Sequence, residues 1–228
     1  GAGGRRGGAV RAREGGGGCV AVGGLGSGWE VGPSLREDVW GGGRAVRVEV
    51  TVYPNEESVH QLREQRMQPG LRYVGQGPRE GAVEVLGLYA EQYVLIAAPS
   101  IPLPAGRHCG WEQAAALPLG LLNRNMRSRQ LVDACFAQAG VTPRVMLETN
   151  VLELLHVEIM AGKVAGIMPV SALPERMGFT GPLQIRRLDP SPAPEVGVLR
   201  LNQPNSTALL TRLWHVSTSL ELDDIYTA

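Results

Sequence analysis

The chain has 228 residues, of which 43% are hydrophobic and 19% are charged, and its formal net charge is zero. This length suits one or two globular domains. A zero net charge excludes an overall electrostatic attraction to nucleic acid or to an anionic membrane, so any DNA contact would be local or lie outside this chain. Because the sequence lacks an apolar run of about 18 residues and a signal-like apolar segment, we expect a cytoplasmic protein with no membrane partner.

The first 43 residues differ in composition from the rest of the chain. Of the 31 glycines, 17 lie in the first 50 residues. Such a segment buries too little apolar surface to offset the entropy cost of ordering its backbone, which predicts a disordered or poorly ordered arm over residues 1–43. Two other interpretations stay open. Its residues are those of GC-rich codons, which suggests a mis-set translation start or reading frame, and its arginines suggest a segment that contacts nucleic acid.

Strand patterns begin at residue 44. Val46, Val48 and Val50 alternate with polar residues, which predicts a half-buried strand. Asn55 is a good N-cap for a helix that Gly70 would end. Further strands are predicted at residues 71–74, 83–88 and 93–98, and the last of these is almost continuously apolar and therefore buried on both faces.

Strands and helices alternate over the following hundred residues. A helix is predicted over 126–139, with Leu131, Ala134 and Cys135 on its buried face and Gly140 at its end. Strands are predicted at residues 117–122, 144–147, 164–168, 183–188 and 196–201.

A second helix is predicted to begin at the cap residue Asn150, with Glu153 as its capping-box partner, and to end at Gly162. A last helix would follow the capping residues at 205–207. Alternating strands and helices with short connections predict a parallel α/β sheet in this segment, and the chain as a whole is predicted to hold two small α/β units. Two long crossings, near residues 93–99 and 196–201, would join these units.

Three strand-to-helix junctions are the candidate binding site. They comprise Asn123, Arg124, Met126 and Arg127, then Thr149 and Asn150, then Pro169, Val170 and Ser171. In an open parallel sheet, ligands bind beyond the carboxyl ends of the strands, where helix N-termini present backbone N–H groups and a partial positive charge. We predict a small anion such as a carboxylate there, with Arg124, Arg127 or Arg129 adding charge-assisted hydrogen bonds. The alternative is structural: Thr149 and Asn150 only cap their helix, and the arginines are solvated.

Signals for catalysis, metals and cofactors are weak. His108 and Cys109 are adjacent but lack the second ligand pair that a metal site needs. The irregular spacing of Cys19, Cys109 and Cys135 is typical of reduced thiols. Neither a phosphate-binding loop nor a catalytic serine motif occurs, which argues against a small flavodoxin-like enzyme. We therefore expect a protein that is not an enzyme and has no cofactor or metal.

Several segments together resemble the effector-binding domain of LysR-type transcriptional regulators. These segments are 88–100, 102–106, 111–112, 114–118, 137–140, 148–150 and 165–169, including Glu148-Thr-Asn150 and Ala165-Gly-Ile-Met-Pro169. The resemblance implies an α/β fold like that of type 2 periplasmic binding proteins, with two subdomains joined by two crossover strands and a small effector in the cleft between them. It places an incomplete subdomain I at 44–95 and 197–228 and subdomain II at 96–196, with residues 1–43 outside both.

The resemblance also implies a function. By position, the family's effector loops coincide with the three junctions, and effector closure would shift subunit packing and the spacing of DNA-binding domains. The family's winged helix-turn-helix has no counterpart in this chain, so the resemblance implies DNA binding only through a domain outside it, in a homo-oligomeric parent. The alternative is a solute-binding component of an ABC-type transporter, which would need an export signal or a lipid-anchored cysteine. Cys19 does not follow an apolar segment.

Overall fold

The computed structural model describes residues 8–14, 18–24, 46–52, 70–73 and 83–201, with side chains described over 83–200 apart from residues 176 and 177. The chain divides into two units. The first extends to Ala90 and resumes at Pro194, and the second is Glu91–Ala193. The resemblance placed the subdomain limits after residues 95 and 196, which is a few residues further along the chain than the limits between the two units.

The strands of the described residues are, in chain order, β1 (Gly8–Glu14), β2 (Gly18–Gly24), β3 (Val46–Val52), β4 (Gly70–Tyr73), β5 (Val83–Ala90), β6 (Tyr93–Ala97), β7 (His108–Gly110), β8 (Leu119–Leu122), β9 (Val145–Thr149), β10 (Ala165–Pro169), β11 (Gln184–Asp189) and β12 (Glu195–Leu201). Their α-helices are α1 (Trp111–Ala115), α2 (Arg127–Gln138) and α3 (Leu152–Met160), and short 3-10 helices cover Val170–Ala172 and Pro174–Met177. In this part of the chain, no helix is long and apolar enough to span a bilayer.

The sheet of the first unit has the order β3-β1-β2-β4-β12-β5. Strand β1 is antiparallel to β2 and β3, and β12 is antiparallel to β4 and β5. The strands predicted from residues 46, 71, 83 and 196 onward are confirmed as β3, β4, β5 and β12. The helices predicted between residues 55 and 70 and after residue 205 lie outside the described residues.

Strands β1 and β2 lie within the arm for which the composition predicted disorder. The two strands pair with each other over their whole length, from Gly8 opposite Gly24 to Glu14 opposite Gly18, and β1 also pairs with β3. Sheet hydrogen bonds join backbone groups, which glycine also carries, and the valines of both strands favour an extended backbone. The interpretations of the arm as a mis-set reading frame or as a nucleic-acid contact stay hypotheses.

The sheet of the second unit has the order β7-β11-β6-β10-β8-β9. Strand β8 is parallel to β9 and β10, and β7 is parallel to β11, whereas β6 is antiparallel to β10 and β11. The predicted α/β sheet is thus confirmed, with β6 as an antiparallel member. All five residues of β6 are buried, as their continuous apolar character predicted. Strand β7 and helix α1 were not predicted from the sequence.

Helix α2 packs on this sheet through a face that differs from the predicted one. Val132 and Phe136 are buried, Leu131 and Cys135 are half-buried, and Ala134 is exposed. The aromatic ring of Phe136 meets Trp111 edge to face, with ring centroids 4.9 Å apart. Burying a phenylalanine side chain stabilises the fold by about 1.5–3 kcal/mol. The buried stripe of α2 therefore centres on Val132 and Phe136.

The ends of α2 and α3 are partly as predicted. Gly140 and Gly162 follow the two helices with φ of +70° and +69°, the left-handed conformation that glycine adopts at low cost. At the start of α3, however, the cap position is held by Val151, and no side chain caps it. The predicted cap by Asn150 with Glu153 is therefore wrong, because the helix begins one residue later and Asn150 lies in the bend between β9 and α3.

Candidate functional site

The three predicted junctions lie along one edge of the second sheet. Because β8 is parallel to both β9 and β10, the carboxyl ends of these three strands lie side by side. The chain leaves them at Leu122, Thr149 and Pro169. We call residues 123–127 the first junction, 149–151 the second and 169–172 the third, and together they form the carboxyl edge.

The first junction is bonded to the second and leads into α2. The backbone N–H of Asn123 donates to the Thr149 carbonyl at 2.8 Å, and the N–H of Met126 donates to the Asn123 carbonyl at 3.0 Å. Met126 is the N-cap of α2, where no side-chain capping bond is present. The first backbone N–H groups of a helix have no partner within it, so this end of α2 presents donors and a partial positive charge.

The second junction combines a buried hydroxyl with a half-buried amide. The Thr149 side chain is buried, and its Oγ1 accepts a hydrogen bond from the Val151 N–H at 3.0 Å. Thr149 thus closes a local turn just before α3, which supports the structural interpretation for this hydroxyl. Asn150 is half-buried beside it.

The third junction is buried and bonded within the unit. The N–H of Val170 donates to the Gln92 carbonyl at 2.8 Å, and the Ser171 hydroxyl donates to the Glu91 carboxylate. Val170, Ser171 and Glu91 are all buried. Pro169 ends β10, and a 3-10 helix of three residues follows it where an α-helix start was expected. This part of the edge therefore offers few accessible donors.

His156 supports the third junction from α3. It is fully buried, and its Nε2 lies 2.8 Å from the Ala172 carbonyl oxygen. A carbonyl only accepts, so Nε2 carries a hydrogen, and in the neutral ring Nδ1 then carries none; Nδ1 is buried without a hydrogen-bond partner among the described residues. Burial lowers the pKa of His156, although the Ala172 carbonyl and the nearby Glu153 raise it in part.

The three arginines of the first junction and early α2 have different environments. Arg124 is 76% exposed, and its Nε lies 3.6 Å from Glu148 Oε1. Arg127 is half-buried, and its Nη1 donates to Gln130 Oε1 at 3.4 Å. The Arg129 side chain is only 1% exposed. The alternative that all three are solvated is therefore wrong for Arg129.

The guanidinium of Arg129 joins three elements. Its Nη1 donates to the Leu122 carbonyl at 2.7 Å, its Nη2 to Glu148 Oε1 at 3.0 Å and its Nε to Asp133 Oδ1 at 2.7 Å. These acceptors belong to β8, β9 and α2. Arg129 was predicted either to donate to a ligand or to be solvated, and its pairing with Glu148 and Asp133 was not predicted. Asp133 stands four residues after Arg129, a spacing that pairs side chains on a helix.

In the described part of the chain, the groups that could have suggested metal binding do not assemble into a site. Cys109 and Cys135 are free thiols, and burial raises the pKa of both. A raised pKa leaves fewer thiolates at neutral pH and makes these cysteines poor nucleophiles. Among the described residues, no group of three histidine, cysteine, aspartate or glutamate side chains could hold a metal ion.

A family model described as the LysR substrate binding domain matches residues 43–218. The chain belongs to this family. The resemblance seen in the sequence is thereby confirmed, and with it the α/β fold similar to that of periplasmic binding proteins and the assignment as a LysR-type effector-binding regulatory domain. A comparison with curated protein sequences found no match.

Solved structures of LysR-family regulators share the fold of this LysR-type domain. CbnR is 19% identical, with a TM-score of 0.66 over 85% of this chain and 66% of its own. The regulatory domain of CcmR from Synechocystis PCC6803, in complex with 2-PG, is 16% identical, with a TM-score of 0.66 over 86% and 93%. The effector-binding domain of QuiR in complex with shikimate is 13% identical, with a TM-score of 0.59 over 72% and 76%. The LysR-type domain thus spans just under two thirds of the length of CbnR.

Proposed function

We propose that this LysR-type domain senses a small anionic effector at the carboxyl edge of its second unit. Family membership supports the sensing role, and the structures of QuiR and CcmR carry shikimate and 2-PG. Shikimate is a carboxylate. The observation that carries the assignment to this edge is the N-terminal end of α2, which has no side-chain cap and stands beside the exposed Arg124.

Charge at the first two junctions favours an anion despite nearby carboxylates. The end of a helix stabilises an anion by about 0.3–1 kcal/mol, and a hydrogen bond to a charged group contributes about 1.5–3 kcal/mol. Glu148 and Asp133 would repel an anion, but Arg129 pairs with both and Arg124 also contacts Glu148, which offsets part of their charge. Glu153 lies in the first turn of α3, which makes the start of α2 the more favourable of the two helix ends.

The candidate residues have two roles in this proposal. Direct contacts to the effector come from the first two junctions, namely Asn123, Arg124, Met126, Arg127, Thr149 and Asn150. The third junction, namely Pro169, Val170 and Ser171, supports the edge from its buried side. The location in a cleft between two subdomains, which the resemblance implies, stays a prediction.

The parent protein is a cytoplasmic, homo-oligomeric transcription regulator in this proposal. It contacts DNA through a domain outside the present chain; a structure of full-length CbnR includes its target DNA. An effector shifts a conformational equilibrium only as far as its affinities for the two states differ. Sensing therefore needs an edge that binds the anion more tightly in one state, and it needs no chemical step.

Thermal unfolding of the chain with matched ligands tests this function. Benzoate, shikimate and inorganic phosphate serve as anions, and benzamide serves as the neutral counterpart of benzoate. A ligand at a hundred times its Kd stabilises the folded state by about 2.7 kcal/mol, so the melting temperature should rise with an anion and not with benzamide. No rise with any of the three anions, or an equal rise with benzamide, would contradict the proposal.

A further inference from the structure

We propose that Arg129 is the positioning residue of this effector edge, which it organises without touching the effector. The inference rests on the proposed function and concerns the same site. Arg129 lies on α2, yet its guanidinium contacts the last residue of β8 and the penultimate residue of β9. One buried cation therefore ties together the two strand ends from which the first and second junctions begin.

The bonding pattern is specific to a guanidinium. Its Nε, Nη1 and Nη2 donate in three directions to Asp133, Leu122 and Glu148. Arginine presents its donors in a rigid planar fork, whereas a lysine ammonium is a compact charge on a flexible stem. Lysine at this position would keep the charge and lose the simultaneous hold on β8 and β9.

The effect of Arg129 extends to both accessible junctions. Asn123 follows Leu122 directly, and its N–H reaches across to the Thr149 carbonyl. Glu148 precedes Thr149, and its Oε1 is shared by Arg129 at 3.0 Å and Arg124 at 3.6 Å. Arg129 thus orients Glu148, and Glu148 in turn holds the exposed Arg124 near the start of α2. Glu148 is the anion that Arg124 contacts, and an arriving carboxylate would compete with it.

Amide hydrogen exchange in the full chain, without any ligand, tests the positioning role. The reporters are the amides of Asn123 and Val151, which bond at the carboxyl edge, and the reference is the amide of Ala165, which bonds to Pro118 at the other end of β10. Arg129→Met should speed exchange at the two reporters at least tenfold relative to Ala165. Arg129→Lys should give the same relative change. This second variant keeps the positive charge and allows the test to be made if Arg129→Met does not fold.

Arg144→Met is the matched control, because Arg144 is an exposed arginine near the start of β9, far from its carboxyl end. It should leave the exchange ratio unchanged. A uniform rise at all three amides in the Arg129 variants would mean that Arg129 only stabilises the whole unit. Unchanged exchange at Asn123 and Val151 would also overturn the proposal.

Binding of benzoate, measured by calorimetry on the same proteins, separates this inference from the proposed function. If the wild-type chain binds benzoate, Arg129→Lys should weaken binding at least tenfold while Arg144→Met leaves it unchanged, and equal affinities would overturn the positioning role. If the wild-type chain binds none of benzoate, shikimate and phosphate, the proposed function fails, and the exchange ratio alone decides whether Arg129 positions the edge.

Discussion

The first two junctions and the third share one sheet edge but differ in how their polar groups are used. At the first junction, Arg124 is exposed and the start of α2 has no side-chain cap. At the third, the Ser171 hydroxyl and the Val170 N–H are buried and already bonded to neighbours within the unit. The strand topology is the same for all three, since β8, β9 and β10 are parallel neighbours.

This difference shows that position at a carboxyl edge does not by itself make a residue available to a ligand. A buried polar group is costly unless it is bonded, so the third junction contributes to stability. An exposed arginine contributes little to stability and keeps its donors available to a ligand. Substitutions should therefore affect stability most at the third junction and anion binding most at the first.

The largest effect on stability is expected at the third junction. Ser171→Ala removes the hydroxyl that donates to the buried Glu91 side chain, and removing one partner of a buried polar group costs about 1–3 kcal/mol. Urea unfolding should show a loss of that size. Ser128→Ala is the matched control, since Ser128 is half-buried within α2 and alanine favours a helix. Equal, small losses in the two variants would contradict a supporting role for the third junction.

The next effect depends on pH and concerns the support from α3. Burial lowers the pKa of His156 below its ordinary value of 6.5. Between the lowered and the ordinary pKa, the unfolded chain binds a proton that the folded chain does not. The contribution of His156 to the unfolding free energy is therefore fully present above pH 6.5 and is lost as the pH drops below it. One histidine can contribute a slope of up to about 1.4 kcal/mol per pH unit.

Urea unfolding between pH 7.5 and pH 5, on the wild-type chain and two variants, checks this slope. His156→Gln should flatten the decline in unfolding free energy, while His108→Gln, which alters an exposed histidine on β7, should not. A decline that is as steep in His156→Gln as in the wild type would show that other groups cause it.

A smaller loss of stability is expected at the second junction. Thr149→Val keeps the shape of the side chain but removes the acceptor for the Val151 N–H, which costs about 1 kcal/mol. Thr149→Ser keeps the hydroxyl and should lose less. If Thr149 also contacts the effector, the valine variant should lose the thermal shift with benzoate and the serine variant should keep it. Loss of the shift in both would point to packing, and retention in both would remove Thr149 from the site.

Local patterns predicted most of the second unit. Continuous apolar residues marked β6, and the glycines at 140 and 162 marked the ends of α2 and α3. Parallel neighbours then required the three junctions to share an edge. The detail of each junction could not be predicted, because its partners are distant in the chain: Ser171 bonds to Glu91 80 residues away, and Arg129 to Glu148 19 residues away. Only packing decides that one arginine is buried while its neighbour is exposed.

The smallest effect on stability, with the largest effect on binding, is expected for Arg124→Gln. Arg124 is 76% exposed and its contact with Glu148 is 3.6 Å long, so its removal should cost less than about 0.5 kcal/mol. If its guanidinium binds the effector, however, losing one charge-assisted hydrogen bond should weaken the binding of benzoate roughly tenfold to a hundredfold.

Lys163→Gln is the matched control, because it removes another exposed cation that pairs with Glu158 at 2.9 Å. Calorimetry in low and moderate salt should show that Arg124→Gln removes most of the salt dependence of binding, since exposed charges are screened over about 8–10 Å. Equal affinities in the two variants would mean that charge at the first junction does not select the ligand, and the difference between the junctions would then be one of stability alone.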